Sequence, residues 1–313
     1  MMPILQRKSI CAVIVTHKPD ALIAARITKI AGQVDRVVVI DNDSGPATRL
    51  RLQVLEIQPS IHLLLNNQNL GIATALNQGA QWAFERGYAY LLLFDQDTSV
   101  LENFVDVYAK ISSEISLEET IVGTNFLQSV DGKAGQKIKP EFIPAGSSGN
   151  WAKAITVATS GTLLPREAWE KIGPFRDEFF IDCVDEEYCL RARRQGVRIV
   201  ISTAPLMQHS VGEQTYYRFL WMHGLTYNYS PLRHYCRLRN SVVVWRTFCR
   251  QEPRWVVSHV LFNVRILAKI CFCEPQKSRK LSALALGLLD GLCSRFDLMA
   301  ERVHQNTNPS KYE

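Results

Sequence analysis

The chain has 313 residues, of which 47% are hydrophobic and 21% are charged, and its formal net charge is +6. A chain of this length and apolar content can bury a full-sized core, which excludes an intrinsically disordered or fibrous protein. The eight cysteines show no paired zinc-type spacing, so reduced thiols are expected rather than a zinc site.

Short apolar runs alternate with segments of helical character in the first third of the chain. Residues 10–15, 36–40 and 90–94 predict strands, and residues 20–30 and 73–86 predict helices. The first run is too short for a signal sequence or a membrane span. This βαβαβ alternation predicts a parallel sheet, and ligands bind such sheets beyond the carboxyl ends of the strands. The segments that directly follow the three strands are Thr16-His17, Asp41-Asn42-Asp43-Ser44 and Asp95-Gln96-Asp97.

The pattern changes in the second half of the chain. Residues 129–149 are rich in Gly, Lys, Ser and Pro and predict a loop or hairpin. Residues 154–159, which end at Ser160-Gly161, and residues 197–201 predict further strands. After about residue 215 the pattern becomes helical, aromatic and basic. The long helices are predicted at residues 255–271 and 281–299.

Two acidic residues flank Gln96 where a buried strand is expected to end. Asp95 and Asp97 would supply the oxygen ligands that a hard divalent cation needs. The alternative is an ordinary solvated turn, since Asp is common at strand ends. His209 follows another apolar strand and could supply an imidazole to the same metal, although a lone histidine is more often structural.

A second acidic cluster follows two aromatic residues, Phe179 and Phe180. It consists of Asp185, Glu186 and Glu187. Burial against aromatic rings raises the pKa of a carboxyl group and suits it to proton transfer. The same residues also favour a helix N-terminus, where the helix dipole stabilises negative charge. Both interpretations can be correct, because only one of the three acidic residues needs to be functional.

Residues 69–79 predict a loop that leads into a helix, with small residues at alternate positions. Small side chains let a ligand approach the backbone N–H groups at a helix N-terminus, which suits a diphosphate. Close packing of the helix on the sheet is the alternative.

Taken together, these segments resemble the inverting glycosyltransferases of family 2 with the GT-A fold, and most closely their bacterial rhamnosyltransferase-like branch. The resemblance covers about residues 10–240. It implies an α/β GT-A fold, with a Rossmann-like, mostly parallel sheet flanked by helices and a helical C-terminal appendage. The matching segments, in chain order, are residues 15–19, 39–44, 69–79, Asp95-Gln96-Asp97, Ser160-Gly161-Thr162, 179–191 and Arg237-Leu238-Arg239-Asn240.

The resemblance also implies a role for each matching residue. Thr16 and Asp41 would contact the nucleotide's base and ribose, and Asp95 the ribose or the metal. Asp97, with His209, would hold Mg²⁺ or Mn²⁺ against the diphosphate. The general base would be Asp185. Asn69, Gly71 and Asn77 would complete the donor-binding set.

The implied function is transfer of L-rhamnose from dTDP-L-rhamnose, with inversion, onto a glycan acceptor that is lipid-linked. Such a reaction belongs to the synthesis of bacterial surface polysaccharide or O-antigen, on the cytoplasmic side of the membrane. Three alternatives stay open. They are a galactofuranosyl- or hexosyltransferase that uses a UDP-sugar, a nucleotidyltransferase, and a non-catalytic sugar-binding protein.

The positive charge is concentrated near the C-terminal end. Residues 246–280 hold eight Lys and Arg against two Glu, an excess of six that equals the excess of the whole chain. The rest is nearly neutral, which argues against a nucleic-acid partner. We therefore expect a catalytic domain at residues 1–240 and a helical, basic region at 241–313.

That basic region has an amphipathic pattern at residues 255–271. We expect this helix to lie on an anionic membrane surface rather than to cross it. The alternative is that its apolar face packs on the catalytic domain. The apolar face consists of Val257, Val260, Leu261, Val264, Leu267, Ala268 and Cys271, and the flanking cations are Arg246, Arg250, Arg254, Lys277, Arg279 and Lys280.

Overall fold

The computed structural model describes residues 4–128, 149–209, 215–219, 222–226 and 228–296. The chain forms two compact units. One contains residues 1–180 and 184–212, and the other contains residues 181–183 and 213–313. The boundary expected between residues 240 and 241 differs from this division, which falls between residues 212 and 213. Residue 240 lies inside a continuous helix, Pro231–Phe248. The loop predicted at residues 129–149 lies, except for its last residue, outside the described residues.

The first unit begins with four parallel strands in the order β3-β2-β1-β4. The strands predicted at residues 10–15, 36–40 and 90–94 are confirmed as β1, β2 and β4. Every residue of β1 is buried, as expected for a strand covered on both faces. The four strands are β1 (Ile10–Thr16), β2 (Arg36–Asn42), β3 (Ile61–Asn66) and β4 (Tyr90–Asp95).

Helices connect these strands, and the small residues of one of them allow close packing on the sheet. A Cβ added to Gly79 would lie 2.4 Å from Cγ1 of Val13 in β1 and 2.9 Å from Cδ1 of Ile40 in β2. Close packing therefore explains the small residue at position 79. The helices of this part are α1 (Ile23–Ala31), α2 (Pro46–Leu55), α3 (Ile72–Glu85), which contains Gly79, and α4 (Phe104–Glu114).

The second half of the sheet is mixed. The sheet continues from β4 in the order β8-β6-β9-β5, and β7 pairs with β9. The β6–β9 pair is parallel, whereas β4–β8, β6–β8, β5–β9 and β7–β9 are antiparallel. The elements are β5 (Thr98–Val100), β6 (Thr120–Gln128), β7 (Trp151–Lys153), β8 (Thr162–Pro165), β9 (Arg198–His209), α5 (Arg166–Ile172) and α6 (Val184–Arg194).

The strand predicted at residues 154–159 is wrong, because this segment is irregular and connects β7 to β8. One apolar side chain of this segment, Val157, is buried against the sheet, whereas Ile155 is exposed. Val157 covers Gly123 of β6 so closely that a Cβ added to that glycine would lie 2.4 Å from the Val157 side chain. This loop therefore resembles a strand only in its β-branched composition.

In its described residues, the second unit contains a hairpin and three helices. Two glycines four residues apart in α9 allow it to approach α7 closely. A Cβ on Gly287 would lie 2.5 Å from the Tyr235 carbonyl oxygen, and one on Gly291 would lie 2.6 Å from that of Arg239. The elements are β10 (Thr215–Phe219), β11 (Met222–Thr226), α7 (Pro231–Phe248), α8 (Pro253–Cys273) and α9 (Lys277–Cys293).

A buried polar cluster joins the elements of the second unit. The Glu274 carboxylate accepts a 2.6 Å hydrogen bond from Lys280 Nζ and another from the Thr226 hydroxyl. Lys280 also donates to Asn228 Oδ1 at 2.6 Å. His234 Nε2 lies 3.7 Å from Glu274, and His234 is only 1% exposed. Burial lowers the pKa of His234 to about 4, against the opposing pull of Glu274.

We expect acid to destabilise the protein through His234. Between pH 6.5 and 4 the histidine takes up a proton in the unfolded chain but stays neutral in the fold, so falling pH favours unfolding. The free energy of unfolding should fall on the order of 2 kcal/mol between pH 7 and pH 5. Urea titrations of wild type and His234→Gln at both pH values measure this. Equal pH dependence in the two proteins would contradict the assignment.

Candidate functional site

The register of the parallel strands places three of the predicted site residues at one edge of the sheet. Thr16, the last residue of β1, pairs with Asp41 in β2. Asp95, the last residue of β4, pairs with Val15 on the other side of β1. The carboxyl ends of the three strands therefore bring Thr16, Asp41 and Asp95 together, where parallel sheets bind ligands.

Asp41 is fully buried and organises the turn after β2. Its Oδ1 accepts a 3.0 Å hydrogen bond from the Thr16 hydroxyl, and its Oδ2 accepts one of 3.2 Å from the Ser44 N–H. The Ser44 hydroxyl also donates to this carboxylate, and Arg49 Nε lies 3.6 Å from it. A buried carboxylate needs such partners. Asp41 thus fixes the shape of this edge, and its contact with a nucleotide stays a prediction.

Gln96 attaches the turn between β4 and β5 to the end of β1. Its side-chain oxygen accepts a 2.7 Å hydrogen bond from the His17 N–H, and its side-chain nitrogen donates to the His17 carbonyl at 3.2 Å. Arg26 donates to the Gln96 carbonyl at 3.0 Å. The two half-buried carboxylates of Asp95 and Asp97 therefore stand on a turn that is held at its centre.

Ser160 supports the same turn, a role of its side chain that sequence reasoning missed. The buried Ser160 hydroxyl accepts a 3.2 Å hydrogen bond from the Asp95 N–H and lies 2.5 Å from the Thr98 hydroxyl. The next residue, Gly161, donates its N–H to the Leu93 carbonyl at 2.7 Å. The sequence signal that could have indicated this role is the Ser160-Gly161 pair directly after an apolar segment.

The donor set at this edge suits a hard divalent cation. Asp95 and Asp97 supply two carboxylates one residue apart, and hard cations prefer oxygen ligands. Within the described residues, no three His, Cys, Asp or Glu side chains form a group that could hold a metal. The His209 side chain lies outside that description, although its backbone pairs with Thr98, the residue after Asp97. Two carboxylates fit Mg²⁺, which usually takes its other ligands from water and phosphate.

The structure separates the roles of the acidic residues at the start of α6. Glu187 is 4% exposed, and its two oxygens each accept a 2.9 Å hydrogen bond from Arg191. This pair is structural, since Arg191 also donates to the carbonyls of Ile172 and Pro174. Asp185 is half-buried, and its Oδ1 accepts the Glu186 N–H at 3.0 Å.

Asp185 lies near β4, the strand that ends at Asp95. It lines a small cavity together with Leu93, Thr162 and Tyr188. Leu93 precedes Asp95 by two residues and pairs with Thr162 of β8. The cavity thus links the start of α6 to the end of β4.

The turn that precedes α6 has an unusual backbone. Phe180, Asp182 and Cys183 have φ values of 53°, 62° and 62°, in the left-handed region that side-chain-bearing residues rarely adopt. Such residues cost about 1–3 kcal/mol each and persist only where surrounding contacts hold them. The Asn240 side chain donates to the carbonyls of Ile181 and Asp182 at 3.0 and 2.9 Å. The Asp182 carboxylate also pairs with Arg233 at 3.0 Å. Asn240, the last residue of the Arg237-Leu238-Arg239-Asn240 motif, therefore has a structural role at this turn.

A comparison with known protein families finds a match to the part of the chain that contains most of these residues. Residues 11–112 match the family model described as Glycosyl transferase family 2. Residues 11–112 thus match a glycosyl transferase family 2 domain. The matched segment contains Thr16, Asp41, Asp95 and Asp97 and ends before Asp185.

Individual relatives are similar to this chain over most of its length. The chain is 28% identical over 295 residues to the dTDP-rhamnosyl transferase RfbF of Shigella flexneri, which covers 91% of this chain and 95% of that protein. The crystal structure of GalNAc-T7 with UDP, GalNAc and Mn²⁺ has a TM-score of 0.58 at 14% identity. It covers 79% of this chain, which spans about half (49%) of that one.

A second structural likeness confirms the fold. The crystal structure of S. aureus TarS 1-349 in complex with UDP-GlcNAc has a TM-score of 0.53 at 13% identity, covering 91% of this chain and 72% of that one. The α/β GT-A fold and the helical C-terminal region expected from the sequence are thereby confirmed, with a sheet that is mixed in its second half.

The loop before α3 is held by hydrogen bonds to residues of the first unit. Asn69 Oδ1 accepts the Gly71 N–H at 2.9 Å, and the Ile72 N–H donates to the Phe180 carbonyl at 2.7 Å. Asn77 is bound to the backbone of Phe175 by two 2.9 Å hydrogen bonds. These residues position neighbouring segments, and direct donor contacts by Asn69, Gly71 and Asn77 stay predictions.

We expect Gly71→Ala to be far more damaging than Gly87→Ala. Both glycines have φ near +85°, so alanine is strained at either position by about 1 kcal/mol. A Cβ at Gly71 would also lie 2.6–2.8 Å from the Phe180 side chain and backbone, whereas one at Gly87 meets nothing within 4 Å. The collision adds about 1–3 kcal/mol. Denaturant titration of both variants measures the difference. Equal losses would show that Phe180 moves freely.

Proposed function

We propose that this glycosyltransferase transfers L-rhamnose from dTDP-L-rhamnose to a glycan acceptor with inversion at the anomeric carbon. The observation that supports the donor is the likeness to a dTDP-rhamnosyl transferase over 91% of the chain. The aspartate pair at the end of β4 and the carboxylate at the start of α6 supply the two kinds of group that the reaction needs.

On the donor side, we assign nucleotide binding to the shared edge of β1, β2 and β4. The turn held by Asp41 and Ser44 would receive the base and ribose, with Thr16 at its centre. Asp97, with Asp95 beside it and His209 as a third ligand, would hold Mg²⁺ or Mn²⁺. When bound, the cation offsets the negative charge that develops on the departing diphosphate.

On the acceptor side, we assign the general base to Asp185. The carboxylate would take the proton of the acceptor hydroxyl as the oxygen attacks the anomeric carbon from the face opposite the diphosphate. A single in-line attack inverts the anomeric configuration, and it needs one base and no second carboxylate nucleophile. Glu187 is unsuited to this role, because its two oxygens are bound to Arg191.

We further propose that the acceptor is lipid-linked, on the cytoplasmic face of a membrane, within surface polysaccharide or O-antigen synthesis. The support is the RfbF likeness and the basic C-terminal region. A UDP-sugar donor is the second candidate. It is favoured by the solved TarS complex with UDP-GlcNAc, although that likeness is only 13% identical.

We expect dTDP-L-rhamnose to bind this protein more tightly than UDP-galactofuranose or UDP-glucose. Thermal unfolding in the presence of Mn²⁺ and each nucleotide sugar measures binding, since a ligand of the native state raises the unfolding temperature. Titrations with dTDP and UDP alone separate recognition of the base from that of the sugar. If a UDP-sugar stabilises the protein more strongly than dTDP-L-rhamnose, the second candidate replaces the first.

A further inference from the structure

Helix α8 carries an apolar row that faces solvent. Val257, Leu261 and Val264 are 59%, 53% and 55% exposed, and Phe272 near the end of the helix is 56% exposed. These positions recur at the spacing of one helical face. Side chains of this kind are normally buried, so a continuous exposed row indicates a surface that meets an apolar partner.

The length and composition of the same helix point to lipid. Within the described part of the chain, α8 is the one helix long and apolar enough to cross a membrane, with a mean hydropathy of 1.7 over its most apolar window. Only 11% of that window is buried, unlike the core helix of a soluble protein. Five of the seven residues of the expected apolar face are exposed, and the other two, Val260 and Cys271, are half-buried.

Positive charge borders the apolar row. Arg254 and Arg265 are exposed, and they lie seven residues before and four residues after Leu261, on the same side of the helix. Lys277 and Arg279 are exposed in the first turn of α9. The segment from residue 253 to 273 contains no Asp or Glu.

Two of the cations expected to flank this helix are engaged elsewhere. Lys280 is 2% exposed and bound to Glu274, so it cannot reach a membrane surface. Arg246 donates to the carbonyls of Gly291 and Leu292 at the end of α9. The cations placed to meet an anionic surface are Arg250, Arg254, Arg265, Lys277 and Arg279.

We propose that α8 docks this protein on an anionic lipid bilayer, lying in the plane of the interface with its apolar row among the acyl chains. Lipid headgroups supply the negative charge that complements Arg254 and Arg265. A crossing orientation is opposed by Arg265, the thirteenth of the 21 residues of α8, because it would hold a cation near the bilayer centre. A second copy of the chain would bring the same cations against one another.

Vesicle cosedimentation of the full chain tests this proposal without any donor or acceptor, so it can fail independently of the proposed reaction. The vesicles contain phosphatidylcholine alone or phosphatidylcholine with phosphatidylglycerol. We expect strong binding only to the anionic vesicles at low salt, and weaker binding as salt screens the cations. The Arg254→Gln/Arg265→Gln variant should lose about fivefold in affinity for each cation removed, a factor that corresponds to about 1 kcal/mol.

Matched variants separate the apolar row from general surface hydrophobicity. Val257→Asp/Leu261→Asp should weaken binding about tenfold or more for each side chain. Leu50→Asp/Val54→Asp on α2 changes residues that are 65% and 64% exposed and should leave binding unchanged. Thermal unfolding of both variants checks that they are folded.

Three outcomes would overturn the proposal. The first is that the full chain stays in the supernatant with anionic vesicles at low salt. The second is a soluble dimer that the α8 variant dissociates, which would make the row an interface between copies. The third is protein that resists extraction from vesicles by alkaline carbonate, which would make α8 a membrane span.

Discussion

Asp97→Ala is expected to reduce sugar transfer to background, a loss of at least about a thousandfold, because a catalytic metal contributes several kcal/mol of charge stabilisation. Asp97 stands on the turn that Gln96 fastens to β1, so the substitution removes a ligand without removing the support of the turn. Steady-state release of nucleoside diphosphate, measured at saturating Mn²⁺, gives the loss directly.

Two controls separate metal binding from damage to the fold. Asp106→Ala removes an exposed aspartate that pairs with Arg7, and it should retain wild-type activity. Exhaustive chelation of the wild type should match Asp97→Ala, and added Mn²⁺ should restore the wild type alone. Full activity of the chelated wild type, or of Asp97→Ala itself, would contradict the assignment.

Asp185→Asn is expected to leave donor binding nearly unchanged while lowering the rate of transfer by about two to four orders of magnitude, the usual contribution of a positioned general base. Asparagine keeps the size of the side chain and can still accept the Glu186 N–H, so α6 should begin in the same way. The affinity for donor and the single-turnover rate, measured separately, distinguish binding from chemistry.

The neighbouring acids provide the comparison. Glu186→Gln should remain active, whereas Glu187→Gln weakens the buried pair with Arg191 and should lower the free energy of unfolding by about 1–3 kcal/mol. An active Asp185→Asn variant, together with an inactive Glu186→Gln variant that binds donor normally, would move the base by one residue.

The parts of the fold that the sequence predicts are those where local patterns and tertiary contacts agree. The apolar runs of β1, β2 and β4 are buried on both faces, so their composition is unambiguous, and each ends at the polar residues that line the site. Parallel register then brings Thr16, Asp41 and Asp95 together, as the βαβ alternation implies.

The parts that the sequence does not predict depend on contacts between distant residues. Ser160 supports the Asp95 turn across 65 positions of the chain, and Asn240 binds the turn before α6 across 58 or 59. Val157 lies in a loop that has the composition of a strand, and its packing on Gly123 is visible only in the fold. The sequence suggests that Lys280 is a surface cation, because its partners Glu274 and Asn228 are identified only in the fold.

Release of dTDP from dTDP-L-rhamnose by the purified protein tests the central claim most directly. With water as a poor acceptor, chromatography should show slow release of dTDP in Mg²⁺ or Mn²⁺, faster than release of UDP from UDP-galactofuranose or UDP-glucose. Release should stop on chelation and be absent from Asp97→Ala. No release of dTDP by folded wild-type protein with metal present, or release that chelation leaves unchanged, would contradict a metal-dependent rhamnosyltransferase.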